Sequence, residues 1–227
     1  MIIIQPKGGL SNYLRVVFSY NEYAKSINSK LLVIWKVTES CNGYFLDYFE
    51  SVENIEFIKF NNKNYDNIIT TGNGHEDFRS NFLLLKPLPY LKYKILGMIS
   101  LLNNYIAVHI RRTDHVGLAL KFNKFTTDQD FINFIKANKK NNLLYVATDN
   151  KKTYDFFYDK YKNKMIFKYH EIIKINYYNK RARHTSLEDS IIDIFVCVHA
   201  KEFLGSGYSS FSGIINIMRN IKYNLKS

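Results

Sequence analysis

Two adjacent arginines at the end of an apolar run are the first sign of chemistry in this sequence. Residues 105–110 lead into His109-Ile110-Arg111-Arg112-Thr113-Asp114. Guanidinium groups leaving a buried strand must meet an anion or reach water, because an uncompensated buried charge is strongly destabilising. A diphosphate suits them: guanidinium presents a planar fork of donors that matches phosphate oxygens, and it stays charged. One such charge-assisted bond contributes roughly 1.5–3 kcal/mol. Asp114 can pin one arginine or cap the next turn. The alternative is structural, an Arg–Asp pair that closes the strand.

Three further polar groups stand where apolar runs end. Gly8-Gly9-Leu10-Ser11-Asn12 opens a helical stretch. Glycine there lets backbone approach a ligand and a helix N-terminus favours anions, with Asn12 and Arg15 able to face the same opening. The segment lacks the Gly-Lys-[Ser/Thr] close of a P-loop and the GxGxxG spacing, so a tight turn is an equal reading. In Ala147-Thr148-Asp149-Asn150, Asp149 either serves a site or shares with Asn150 the role of N-cap. Gly205-Ser206-Gly207-Tyr208-Ser209-Ser210 can cradle phosphate through N–H groups and hydroxyls, or Ser209 and Ser210 can simply start a helix. Asp193 lies in the apolar stretch SLEDSIIDIFVCV, as a buried partner of a base or as acceptor for paired N–H donors such as a guanine edge. No GxSxG nucleophile elbow occurs.

Short apolar runs alternating with amphipathic stretches position these groups. Strands are expected at 2–4, 31–35, 55–60, 105–111, 143–147, 165–169 and 202–205. Helices are expected at 10–27, 44–50, 89–102, 125–137 with Thr126 or Thr127 as cap, 151–162, 187–200 and 209–221. Residues 65–74 end in a glycine-rich turn. The alternation predicts parallel sheets covered by helices, with ligands at the carboxyl ends of strands. A break near 86–104 predicts two lobes.

The 227 residues suffice for one large or two small domains at roughly 100–200 residues each. Hydrophobic residues at 46% exclude wholesale disorder. The formal charge of +12 is compatible with nucleic acid, an anionic membrane or a phosphorylated small molecule, but lysine runs such as 136–140 read mostly as solvated surface. Cys41 and Cys197 form no CxxC pair, which leaves a zinc site or disulfide framework without support. The N-terminus lacks a signal peptide's pattern, and no run approaches the about 18 apolar residues of a membrane span. A cytoplasmic chain is the expectation.

HIRRTDHVG resembles the His-x-Arg-Arg-x-Asp motif of the fucosyltransferase superfamily, which includes α1,6-fucosyltransferases, nodulation-factor fucosyltransferases and protein O-fucosyltransferases. Further segments follow in the same order. GGLSNYLR is similar to that family's N-terminal loop, CNGYFLDYF to the segment after the second strand, and LLYVATDN to its ATDD strand. The stretch from RARHTSLEDSIIDIF to GSGYSSFSGII resembles the donor-binding region. The resemblance implies a GT-B-like α/β fold of two small Rossmann-like lobes, 1–95 on the acceptor side and 96–227 binding the donor, with a cleft between them. It also implies a GDP-fucose donor, a glycan or other hydroxyl acceptor, inversion at the sugar carbon, and no metal or other cofactor.

By position, Arg111 would stabilise the diphosphate and leaving group. His109 and Asp193 would contact guanine, Ser210 would hold a phosphate, and Asp114 and Asp149 would shape the site. Arg112, Ser209, Gly9 and Asn12 complete the expected donor contacts. One position departs: where α1,6-fucosyltransferases carry a glutamate as the proposed base, this chain has Ala119. The proton of the acceptor then goes to nearby His115, to Asp77 or Glu39, or to no base at all. The departure motivates a second reading, a non-catalytic nucleotide-sugar or glycan-binding module. A third, a basic nucleic-acid-binding protein, would require clustered lysines with stacked aromatics and strongly salt-dependent binding; no recognised nucleic-acid motif is present.

Overall fold

Pro6 is the last residue of the first strand and lacks an N–H for any further ladder bond of its own. That strand, β1 (Ile2–Pro6), is followed by helix α1 (Leu10–Ser26), β2 (Leu31–Trp35), β3 (Ile55–Lys59) and β4 (Ile69–Thr71) in a computed structural model that describes residues 1–61, 65–113, 116–138, 142–162 and 186–225. The four strands are parallel in the order β3-β2-β1-β4. β2 is buried at all five positions, as a continuous apolar run covered on both faces should be. Leu10, Leu14, Val17, Phe18 and Ala24 form the apolar stripe of α1. Trp35 packs edge-on against Tyr13 at 4.8 Å and donates from Nε1 to Gly43 O at 2.8 Å. Phe45 stacks on Phe57 at 4.0 Å.

Helix α2 (Pro89–Leu102) precedes β5 (Tyr105–Ile110), α3 (Val116–Lys121), α4 (Asp128–Ala137), β6 (Leu143–Thr148), α5 (Lys151–Tyr161), α6 (Leu187–His199), β7 (Glu202–Gly205) and α7 (Ser210–Asn220). These strands form a second parallel sheet, β6-β5-β7. The chain thus divides into two units, Met1–Leu91 with Tyr223–Ser227, and Lys92–Lys222; the dividing point falls inside α2. The return of the C-terminus to the first unit is anchored by Tyr223, whose hydroxyl donates to Leu85 O at 2.5 Å. The protein is α/β with two parallel sheets.

β5 is buried along its whole length, and its period-2 alternation assigns two faces. Ile106, Val108 and Ile110 join Phe131 and Ile135 of α4, Leu144 and Val146 of β6, and Phe157 and Tyr161 of α5 in one apolar cluster. Tyr105 and His109 project to the other face, toward α6 and α7: Tyr105 Oη donates to Val196 O at 2.7 Å. α4 and α6 each begin with a capping box, Thr127 with Asp130 and Ser186 with Asp189. Arg219 of α7 donates to the carbonyls of Cys197, Val198, Ala200 and Lys201 and so closes the C-terminal end of α6.

Several boundaries differ from the sequence reading, each for a local reason. The helix expected from 125 begins at Asp128, because Thr127 caps it and Phe125 and Thr126 stay in the preceding loop. The helix expected at 44–50 is one 3₁₀ turn, Phe45–Asp47. The 65–74 segment contributes the edge strand β4. α3 was not anticipated; at six residues it is too short to display a helical period. The strand expected at 165–169 lies outside the described residues. No helix among the described residues is long and apolar enough to cross a membrane.

Phe157 is fully buried in the second unit's apolar cluster. Phe157→Ala is expected to lower the unfolding free energy in urea by about 3–5 kcal/mol. A loss below about 1 kcal/mol would contradict this placement of the core.

Candidate functional site

In the second sheet β6 and β7 lie on opposite sides of β5. The order of connection therefore reverses at β5, and its carboxyl end is the point where such sheets bind ligands. His109, Arg111, Arg112, Asp149 and the Gly205–Ser210 loop leave the three strands at this edge.

His109 takes the α7 face of β5. Its Nδ1 lies 2.7 Å from Ser212 Oγ, and its ring stacks on Phe211 at 4.5 Å. It is 5% exposed. Burial, reinforced by the Arg111 charge, lowers its pKa to about 3, so the ring is neutral at pH 7. Gly205 pairs in register with His109, and a Cβ there would stand 2.5 Å from Ser212 Cβ and Oγ. Only glycine lets the first turn of α7 lie this close to the strand end.

Ser206 ties the exits of β5 and β7 together. Its N–H donates to His109 O at 2.8 Å, and its Oγ accepts from Arg111 N at 2.9 Å. The Arg111 side chain is 27% exposed, with Nε 3.8 Å from Asp149 Oδ2. Arg112 is held differently, at 13% exposed. Its Nε and Nη2 donate to Asp128 Oδ1 at 3.1 and 2.6 Å, Nη2 to Thr126 O at 2.9 Å, and Nη1 to Arg111 O at 3.2 Å. Its guanidinium also lies over Phe125, 4.9 Å from the ring centre.

The two candidate caps after β6 divide the work. Asn150 accepts from Thr153 N at 2.9 Å and caps α5. Asp149 instead faces the arginine loop: Oδ1 accepts from Arg112 N at 3.1 Å and Oδ2 from Thr113 Oγ1 at 2.5 Å. At α7, Ser209 is the cap, accepting from Ser212 N at 3.4 Å, and partly exposed Ser210 is the first helical residue. The N-termini of α5 and α7, each with partial positive charge, thus follow the strands on either side of β5.

Asp193 is on the helix that covers the His109 face of the sheet. It lies midway along α6, where its Oδ1 accepts from Tyr145 Oη at 2.5 Å. Tyr145 is on β6 at the register of Ala107, short of the strand ends. Burial first, and then the Asp193 charge, push the Tyr145 hydroxyl well above its ordinary pKa. Asp114 and His115 lie outside the described residues. Ala119 is on α3, 3% exposed, with its side chain turned inward.

The first sheet has its own reversal, at β1 between β2 and β4. Gly8 takes φ +97°, and a Cβ there would approach Asn12 Nδ2 to 2.5 Å. Gly9 is the N-cap position of α1, with no side chain to satisfy the first N–H groups. Asn12 Oδ1 accepts from Arg15 Nη2 at 3.3 Å, and the same Nη2 donates to Gly72 O at 3.1 Å. Ser80 Oγ donates to Arg15 O and His75 N donates to Ser19 Oγ, both at 2.8 Å, which fixes the loop after β4 against α1. Asp77 in that loop and Glu39 after β2 are exposed.

Sequence reasoning missed Phe211, Ser212 and Asp128, and gave Ser206 and Thr126 no partners. Ser206 was visible within Gly-Ser-Gly, and Thr126 and Asp128 within TTD, but nothing in the spacing paired them with residues 14 to 97 positions away. Among the described residues no group of three His, Cys, Asp or Glu side chains stands close enough to hold a metal ion.

Buried His109 creates a pH dependence of stability. Between about pH 6.5, its ordinary pKa, and about pH 3, the unfolded chain takes up a proton that the folded chain refuses. Stability from this residue is complete above pH 6.5 and falls as the pH drops through that window. Urea midpoints should therefore fall more steeply between pH 7 and 5 for the native chain than for His109→Gln. Parallel curves would contradict the neutral, buried assignment.

No family model matches the chain, and no curated protein sequence does. Solved structures do. NodZ α-1,6-fucosyltransferase soaked with GDP-fucose matches with TM-score 0.63 and 12% identity, over 95% of this chain and 91% of that one. Fucosyltransferase NodZ from Bradyrhizobium matches at 0.62 and 12%, over 94% and 91%. POFUT1 in complex with GDP-fucose matches at 0.61 and 10%, over 94% and 93%. The chain has the GT-B-like α/β fold of these fucosyltransferase structures.

Proposed function

We propose that this chain is an inverting glycosyltransferase that moves fucose from GDP-fucose to a hydroxyl of a glycan acceptor, without a metal ion. The observation that carries the reading is the partly exposed Arg111 guanidinium at the reversal point of the second sheet, where two helix N-termini open. A permanent cation, backbone N–H groups and helix dipoles favour an anion at one place. The fold shared with structures soaked or complexed with GDP-fucose supports the choice of donor.

In this reading Arg111 opposes the charge that grows on the β-phosphate as the sugar–phosphate bond breaks. Asp149 orients the arginine loop, and Ser210 with the first N–H groups of α7 receives a phosphate. Neutral His109 supports the first turn of α7 and contacts the base. Asp193, whose Oδ1 accepts from Tyr145, contacts guanine. Gly9 and Asn12 offer backbone N–H groups and a side-chain amide at the corresponding edge of the first sheet. The acceptor hydroxyl attacks the sugar carbon from the face opposite the diphosphate, and its proton passes to His115, Asp77 or Glu39, or is lost without a protein base.

A second reading, a binding module without turnover, draws on Ala119, a buried methyl where the resembling enzymes place a base. Release of GDP from GDP-fucose separates the two readings. Arg111→Ala should lower kcat/KM by about 10²–10³-fold. Full activity in that variant would sink the assignment of Arg111, and donor binding without any GDP release would favour the module. His115→Ala should lower kcat about 10²-fold if His115 takes the proton. Unchanged turnover would pass that role to Asp77, Glu39 or no base.

A further inference from the structure

Arg112 stands beside Arg111 in sequence, yet its side chain is committed inside the protein. Three of its donors face Asp128 Oδ1, Thr126 O and Arg111 O, and its guanidinium lies over Phe125 and Phe131, 4.9 and 5.6 Å from the ring centres. The segment it grips, 122–128, is docked on its other side against the turn between β7 and α7. Gly207 N donates to Thr126 Oγ1 at 2.8 Å. A Cβ on Gly207 would stand 1.9 Å from Lys124 O, so the two backbones touch in a way only glycine allows. Next to it Tyr208 takes φ +56°, a left-handed conformation that is unfavourable for a bulky residue. Its ring stacks on Phe122 at 4.7 Å and 16°.

We infer that Arg112 is a positioning residue: it clamps the 122–128 segment through Thr126 and Asp128, and that segment holds the Gly205–Ser210 loop in place. The fork geometry of guanidinium is needed, because one planar group bonds the Asp128 carboxylate and the Thr126 carbonyl, two residues apart, while stacking on two rings. The Arg-Arg pair therefore divides its labour, one arginine for the anion and the other for the loop that receives it. This rests on the reading of that loop as a nucleotide contact, but the clamp is testable without any nucleotide.

The experiment combines amide hydrogen exchange, read by mass spectrometry on the peptide spanning 203–212, with calorimetric binding of GDP and guanosine. The variants are Arg112→Lys, Thr126→Val and Asp128→Asn. Arg112→Lys keeps the charge but loses the fork. It and Thr126→Val should each speed exchange of that peptide about tenfold, the worth of one hydrogen bond, with β1 and β2 unchanged. GDP should weaken by the same factor and guanosine, which has no phosphate for the loop, by less; the double variant should be less than additive. A phosphate ligand would behave otherwise. Arg112→Lys would retain GDP binding, or lose GDP with exchange of the 203–212 peptide unchanged, and Asp128→Asn would tighten GDP by freeing the cation; any of these results overturns the clamp. If neither compound binds the native chain, exchange alone decides: unchanged exchange in both variants refutes the clamp, while faster exchange upholds it and sinks only the nucleotide reading.

Discussion

Two positive charges leave the end of a strand that is buried along its whole length, and much of the second unit is arranged around holding them. Charges at such a boundary need partners in good geometry, because desolvation otherwise outweighs attraction. Asp149 supplies the first. Its two oxygens accept from Arg112 N and Thr113 Oγ1, and Arg111 Nε lies 3.8 Å away. Asp128 supplies the second, at 2.6 Å from Arg112 Nη2. The two arginines thereby acquire different surroundings, one internal and one partly open to solvent.

The sheet beneath sets these positions by its alternation. Even-numbered positions of β5 face α4 and α5 and carry Ile106, Val108 and Ile110. Odd-numbered ones face α6 and α7, so His109 necessarily lies under the start of α7. Gly205 and Ser206 then let α7 begin close to the β5 exit. A one-residue slip of register would exchange the two sets and destroy both the core and the edge.

How much of this was legible followed from what each signal depends on. Uniformly apolar β2 and helix α2, which opens on Pro89, carry local signals, and the sequence reading matched their bounds. The glycine and hydroxyl clusters were legible as strand ends for the same reason. Local chemistry could not divide roles between neighbours. Asp149 and Asn150 are equally good caps in isolation, and only the tertiary approach of Arg112 N decides which one is spared. Nor could it separate Arg111 from Arg112, since the partner of Arg112 is 16 positions away in a helix that starts later than the apolar pattern suggested. Asp193 stood out in its apolar stretch, but nothing local announced Tyr145, 48 positions earlier, as the donor to its carboxylate.

The central claim is that the β5 edge binds a guanosine diphosphate through Arg111. Calorimetric titration with GDP, in EDTA and with UDP, CMP and ADP as comparisons, tests it most directly. The account predicts micromolar GDP binding, weak binding of the others, and a loss of about 1.5–3 kcal/mol in Arg111→Ala. Equal affinity for all four nucleotides, or GDP binding untouched by Arg111→Ala, would contradict it.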